Sequence, residues 1–216
     1  MKKQSSPTRE RILQHGLALM SQEGLAGVTL GQLAERVGMS KSGVFAHFRS
    51  KDEVQIGLLD DSTRLATLSV VEPAMREPQG LRRLEALMHH WLGWAERAGL
   101  PGGCPVAAAM FELDDVEGPV RDKVLAIEAE WRDLLRQIVR QAVDLKHLRD
   151  DLDIDQFVWE LCGIYLSHHA AHRFLRHADA DVRARTAFQA LVERARAAHG
   201  TGKRARRMKP SRGAKR

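Results

Sequence analysis

Lys41, Ser42, Gly43 and His47 lie within one short stretch that contains no acidic residue. Together they are small, polar and basic, which is what close approach to a polyanion requires. A lysine ammonium attracts phosphate, a serine hydroxyl can donate or accept at a base edge, and a glycine lets the backbone come near. Val44, Phe45 and Phe48 are interleaved with them at helical spacing. The stretch is therefore predicted to form a helix of about two turns, capped by Ser40, with one apolar face and one small basic face, a shape that fits the major groove of DNA. The elements that must hold it are also legible. Thr29 with Gln32 forms a capping box that opens a preceding helix. Leu30, Leu33, Ala34 and Val37 give that helix one apolar face, and Gly38 stops it. Ser50 with Glu53 caps the helix that follows. Two short helices joined by a tight turn, the first bracing the second, are a helix-turn-helix.

The segments VTLGQLAERVGMSKSGVFAHF and RSKDEV, in that order and spacing, resemble the N-terminal DNA-binding domain of the tetracycline-repressor (TetR) family of bacterial regulators. The resemblance runs from about Thr8 to about Leu59. It implies an all-α protein, a three-helix DNA-binding head on a helical dimerising and ligand-binding body. Carried onto this chain, it places DNA contact on Thr29, Ser40, Lys41, Ser42, Gly43, Phe45, His47 and Lys51. Thr29, His47 and Lys51 suit phosphates, and Lys41, Ser42 and Gly43 suit base edges or close approach. The chain departs from the family where it often has an aromatic pair with hydroxyls, because Phe45 and Ala46 stand there. Neither can donate to a phosphate, although Phe45 can pack or touch a thymine methyl. The function expected is a dimeric repressor that binds a palindromic operator in double-stranded DNA and is released by a small apolar or amphipathic effector, with no cofactor. The alternative is a structural or nucleoid DNA-binding factor of the same fold that senses no ligand.

Charge is distributed in keeping with this. Of 216 residues with a net charge of +6, residues 1–50 hold seven Lys/Arg against three acids, and residues 203–216 hold eight Lys/Arg and no acid. Both ends are basic and the stretch between them is acidic, which directs one surface toward phosphates and keeps the rest away. The chain divides on this reading into a head (1–50), a regulatory and dimerisation body (51–202) and a basic tail (203–216) expected to be disordered in the free protein. Two cysteines fit a reducing compartment rather than a disulfide framework. The N-terminus has no apolar run of the signal-peptide kind, and no stretch is long and apolar enough for a membrane span. A cytoplasmic, nucleoid-associated protein is expected.

The body is predicted to be helical over about 51–72, 79–98, 105–113, 119–145, 154–177 and 180–199. It shows no catalytic constellation, so an enzyme is not expected. The family resemblance implies a ligand cavity among its middle helices, where Met88, Trp91, Trp94, Cys104, Met110, Phe111 and Trp131 are the candidate lining. Cys104 precedes a proline-opened helix, whose dipole would lower a thiol pKa. It reads either as a redox-sensing thiol or as a buried lining residue, and Cys162 reads as core. His168 and His172 are one helical turn apart and could share a metal, but no acid or cysteine lies nearby in sequence, and no metal site is assigned. Phe157, Leu161, Ile164, His168 and Leu175 form one stripe, and Phe188 and Leu191 belong to another. Pairing both with a second copy gives a four-helix dimer interface.

Truncation after Gly202 removes eight positive charges and no expected core residue. It should leave folding intact and lower non-specific DNA affinity most at low salt. Equal affinity of both forms across a salt titration would contradict this.

Overall fold

The computed structural model describes residues 6–197, so Lys2, Lys3, the basic tail and the end of the last expected helix lie outside the described residues. Within them the chain is helical, and the only strand-like pairing described is an isolated bridge between Leu148 and Arg196.

Helix α1 (Pro7–Gly27) starts where Ser6 accepts from the Arg9 N–H at 3.2 Å with Pro7 in the first turn. Gly24 breaks it at φ 79°, a backbone that glycine adopts at little cost, and one further turn follows to Gly27. Helix α2 (Leu30–Val37) carries the full Thr29–Gln32 capping box and ends at Gly38, which is left-handed at φ 67°. Helix α3 (Lys41–Phe45) is only five residues long, shorter than the two turns expected. Ser40 Oγ caps it by accepting from Gly43 N–H at 3.0 Å. Helix α4 (Lys51–Ala66) is capped by Ser50, which accepts from Glu53 N–H at 3.1 Å. The Glu53 carboxylate accepts from Arg49 N–H at 2.8 Å, one residue earlier than a standard box. Ile12, Leu33, Val44, Phe48 and Leu58 are fully or almost fully buried and belong to one core, and the Arg9 guanidinium sits 4.9 Å over the Phe48 ring.

The helix expected over 51–72 is not uniform. After Ala66 a π turn (Thr67–Val71) widens it, and α5 (Glu72–Met75) completes the run. The helix expected over 79–98 is broken as well: α6 (Leu81–Trp91) and α7 (Trp94–Arg97) meet at Leu92, which is extended, and Gly93, at φ 67°. Then come α8 (Pro105–Glu112), α9 (Pro119–Asp144), α10 (Ile154–Arg173) and α11 (Ala180–Ala195). Helix α10 stops before Leu175, and Arg176 takes φ 57°.

The proposed dimer stripe needs correction. Helix α10 packs against α11 of the same chain, and Phe157, Leu161, His168, Phe188 and Leu191 are buried there within a single protomer. Ile164 is half-buried, and Leu175 is exposed beyond the end of its helix. Besides Leu175, the apolar side chains that remain outward on and beside this pair are led by Trp159 (67% exposed), Phe174 (86%) and Val182.

Helix α8 is tied to α1 near both of its ends. On one side, in the loop before it, Gly102 N–H donates to Ser21 Oγ at 3.1 Å and Gly103 N–H to the Ser21 carbonyl at 3.1 Å. A Cβ on Gly102 would fall onto that carbonyl, so only glycine fits. On the other side the Glu112 carboxylate accepts from Leu25 N–H at 3.1 Å and from Ala26 N–H at 2.8 Å, taking the donors freed by the Gly24 break. Gln55 of α4 donates to the Leu25 carbonyl at 2.9 Å from the buried side. Charge-assisted hydrogen bonds of this kind are among the stronger ones. Glu112→Ala should lower unfolding free energy by about 1–3 kcal/mol in urea denaturation; a midpoint equal to wild type would mean that the clamp contributes nothing.

Candidate nucleic-acid interface and ligand cavity

Helix α3 is too short to persist alone, because helix nucleation is costly. It is held by the Ser40 cap and by Val44 and, just beyond it, Phe48, which are buried against the head. Its outer face then presents Lys41 and Ser42, with Phe45 at 52% exposure. Ser40 Oγ and Ser42 Oγ are 3.0 Å apart. Gly43 is half-buried, close to Met39 and Ser40, and the Lys41 stem runs beside Gly31 of α2. Thr29 is exposed but engaged in its capping box, and Lys51 is exposed at the start of α4, where free backbone donors and the helix dipole favour an anion. His47 is half-buried.

The second site is a cavity of about 230 Å³ bounded by α4, the π turn, α6 to α10 and their connections. Of the expected lining residues, Trp91, Trp94, Cys104, Met110 and Trp131 are on its wall. Met88 and Phe111 are not. Met88 is buried but points toward a groove beside Phe188 and Val192 of α11. Phe111 follows Met110 by about 100° around α8, which turns it outward to 63% exposure. The wall also includes residues the sequence did not single out: Ser62, Thr63 and Thr67 on the α4 run, Glu128 and Arg132 on α9, and Tyr165 on α10. Tyr165 had a usable signal. It is the only tyrosine in the chain, it lies on an apolar helix face, and a buried phenol needs a partner.

That partner is Trp94, whose Nε1–H donates to Tyr165 Oη at 3.1 Å. The Tyr165 ring stacks on Trp91 at 4.1 Å, and Trp91 meets Trp131 edge-on at 4.8 Å. One side of the cavity is thus a continuous aromatic wall. Burial pushes the Tyr165 hydroxyl well above its ordinary range, so it stays a neutral donor. Burial likewise raises the Cys104 thiol, even though its sulfur caps α8 by accepting from Ala107 N–H. Of the two readings of Cys104, its burial and its place on the wall favour the lining residue. Cys162 is also on the wall, its thiol pushed up to about 11 chiefly by burial. Burial raises Glu128 as well, partly offset by Arg132, whose Nε lies 3.7 Å from its carboxylate.

Two of the three histidines of α10 lie against acids. His168 Nε2 is 2.6 Å from Asp181 Oδ1 of α11, and His172 is 3.9 Å from Glu96. Among the described residues no group of three or more His, Cys, Asp or Glu is arranged to hold a metal ion, and no helix is long and apolar enough to cross a membrane.

A capped helix-turn-helix on an all-helical body is the architecture of a DNA-binding transcription regulator. Comparison with known proteins agrees. Residues 12–55 match the family described as bacterial regulatory proteins, tetR family, and residues 80–188 match the tetracyclin repressor-like C-terminal domain. The chain belongs to the TetR family of bacterial regulatory proteins, whose members bind DNA. It is 32% identical over 134 residues to the nucleoid occlusion factor SlmA of Sodalis glossinidius, a match that spans 60% of this chain and 66% of that protein. Its fold matches a TetR transcriptional regulator from Chloroflexus aurantiacus at a TM-score of 0.76, with 24% identity over 86% of this chain and 92% of the other. It also matches AibR in complex with isovaleryl coenzyme A and operator DNA at a TM-score of 0.66, with 19% identity over 87% and 97% of the two chains.

If Cys104 and Cys162 are buried and undissociated, both thiols should react with Ellman's reagent at least ~100-fold more slowly in the native protein than in urea. A rapid single-thiol burst from the native protein would contradict that.

Proposed function

We propose that this chain is a dimeric repressor that reads a partly palindromic operator with α3 and releases it when a small apolar or amphipathic molecule enters the cavity. The observation that carries the DNA part is the outer face of α3. Lys41, Ser42 and Phe45 are exposed on a helix whose other side, with Phe48 beyond it, is locked into the head. Lys51, Thr29 and His47 would position the head on phosphates, and Lys41, Ser42 and Gly43 would meet base edges. Dimerisation would use the outward face of α10 and α11. Trp159, Phe174 and Val182 are large apolar groups left in water on one chain, and a second copy would cover them. Two α3 helices related by a two-fold axis would then meet half-sites about one helical turn apart.

The effector part rests on the cavity and on its connections to the head. Helix α4 runs from the head into the cavity wall and would join the two directly. Helix α8 forms another part of the wall and is bound to α1 near both ends. A ligand that displaced either helix would shift α3 relative to its mate. A structural neighbour solved with both a coenzyme A thioester and operator DNA supports this division of labour.

A second reading, a nucleoid DNA-binding factor that senses no ligand, is favoured by the kinship to nucleoid occlusion factors. Selection of bound sites from random DNA separates the two roles assigned within α3 and α4. Lys51→Ala should weaken binding to all sequences alike and reduce the salt slope by about one unit. Lys41→Ala or Ser42→Ala should change the selected bases. A wild-type protein that selects no palindromic motif would overturn the operator reading, and a changed motif for Lys51→Ala alone would reverse the assignments.

A further inference from the structure

Two residues of the cavity wall each carry a buried polar atom with no hydrogen-bond partner among the described residues, Trp131 at Nε1 and Ser62 at Oγ. Such groups are normally satisfied, because an unpaired buried donor keeps the full cost of its desolvation. Their neighbours follow that rule. Thr63 and Thr67 return their hydroxyls to the carbonyls of Leu59 and Thr63 at 2.9 Å each, and the Trp94 indole donates to Tyr165. Trp131 and Ser62 sit on different helices, α9 and α4, which pack against one another and both line the cavity. Ser62 is completely buried.

The chemistry of these atoms restricts what can satisfy them. An indole N–H only donates, so its partner must be an acceptor. Serine can donate or accept, and so tolerates the same ligand. Charge narrows the class further. The ionisable side chains on the inner wall beside Trp131 are Glu128 and Arg132, which face each other at 3.7 Å and offset one another, while Glu130 is exposed at the rim. The rest of the wall is aromatic and aliphatic, and the stacked Trp91 and Tyr165 rings make one side of it flat.

We propose that the cavity selects an uncharged, flat, largely apolar molecule that carries an accepting oxygen, a ring ketone being the simplest case, with that oxygen against the Trp131 N–H and Ser62 as the second polar contact. This rests on the reading of the cavity as the effector site and adds the chemical class. It also ties recognition to α4, because the acceptor would engage the helix that leads to the head.

The test uses the full chain and ligand-observed NMR titrations of 1-indanone and indane, which share a two-ring frame and differ in one carbonyl oxygen. The sign of the difference is decisive. A ketone entering a cavity without a free donor forfeits its hydrogen bonds to water and should bind more weakly than the hydrocarbon. With a donor waiting, 1-indanone should bind about five- to tenfold more tightly. Trp131→Phe should reverse the order, and Ser62→Ala should reduce the preference; the Ser62→Ala result stands on its own if circular dichroism shows Trp131→Phe to be unfolded. The charged analogues 2-aminoindane and indane-2-carboxylate should both bind more weakly than 1-indanone. Equal binding of the first pair, or a preference for indane, would overturn the acceptor inference and leave the cavity as an effector site. A preference that survives both substitutions, or tightest binding by 2-aminoindane, would overturn it too. No binding of either neutral probe up to 1 mM (roughly a 4 kcal/mol threshold) would overturn the effector reading itself.

Discussion

The attachment of α8 to α1 at both ends is the constraint on which the rest of this structure depends. Ser21 receives the Gly102 and Gly103 amides on one side, and Glu112 receives the Leu25 and Ala26 amides on the other. Between those points α8 supplies Val106, Ala107 and Met110 to the cavity wall. The same α1 packs against α4, with Gly16 lying under Leu58 and Gly57 under Leu13. The head and the cavity therefore share a rigid frame of three helices. Packed interiors answer a local displacement by switching between discrete arrangements rather than deforming smoothly, so under the proposed function a shift of α8 would be passed to the helices packed on it, α1 among them.

The π turn at Thr67–Val71 belongs to the same account. It follows the cavity-lining Ser62, Thr63 and Ala66 and itself contributes Thr67, Val70 and Val71 to the wall. Such turns are rare and cluster at functional sites, because the extra residue loosens the regular ladder. Before it α4 is a regular helix with Val54, Leu58 and Leu59 buried in the core. Under the proposed function this run and the Glu112 clamp are two parallel connections between cavity and head.

Much of this was legible in the sequence, and the parts that were not share a physical reason. Caps are local chemistry, so Ser6, Thr29 with Gln32, Gly38, Ser40 and Ser50 stand where their residue types and spacing put them. Aromatic wall residues Trp91, Trp94 and Trp131 were also found, since large rings at helical spacing seek the interior. Periodicity reports which face of a helix is apolar but not what covers it. Phe157, Leu161, Phe188 and Leu191 looked like a surface awaiting a second copy and are instead buried within one protomer. Met110 and Phe111 are adjacent and equally apolar, and only the direction of α8 decides which one faces the cavity. The break at Leu92–Gly93 involves no proline; the π turn lies just before Pro73, which cannot donate to the Ser69 carbonyl within it, but the width of the distortion is not written in one residue. Ser62 is a single hydroxyl with nothing in its spacing to mark it. Nothing near Glu112 in sequence marks its role, because its partners lie 86 and 87 residues away along the chain.

The central claim is that the occupancy of the cavity and the binding of DNA are one coupled equilibrium. Thermodynamic linkage makes it measurable from either side: if a cavity ligand weakens operator binding, the operator must weaken ligand binding by the same factor. The most direct measurement is the affinity of a cavity ligand such as 1-indanone for the free protein and for the protein saturated with its selected operator, in wild type and in Glu112→Ala. The account predicts about 5- to 150-fold weaker ligand binding in the presence of operator, and a smaller factor once the clamp is removed. Identical ligand affinity with and without operator would contradict it.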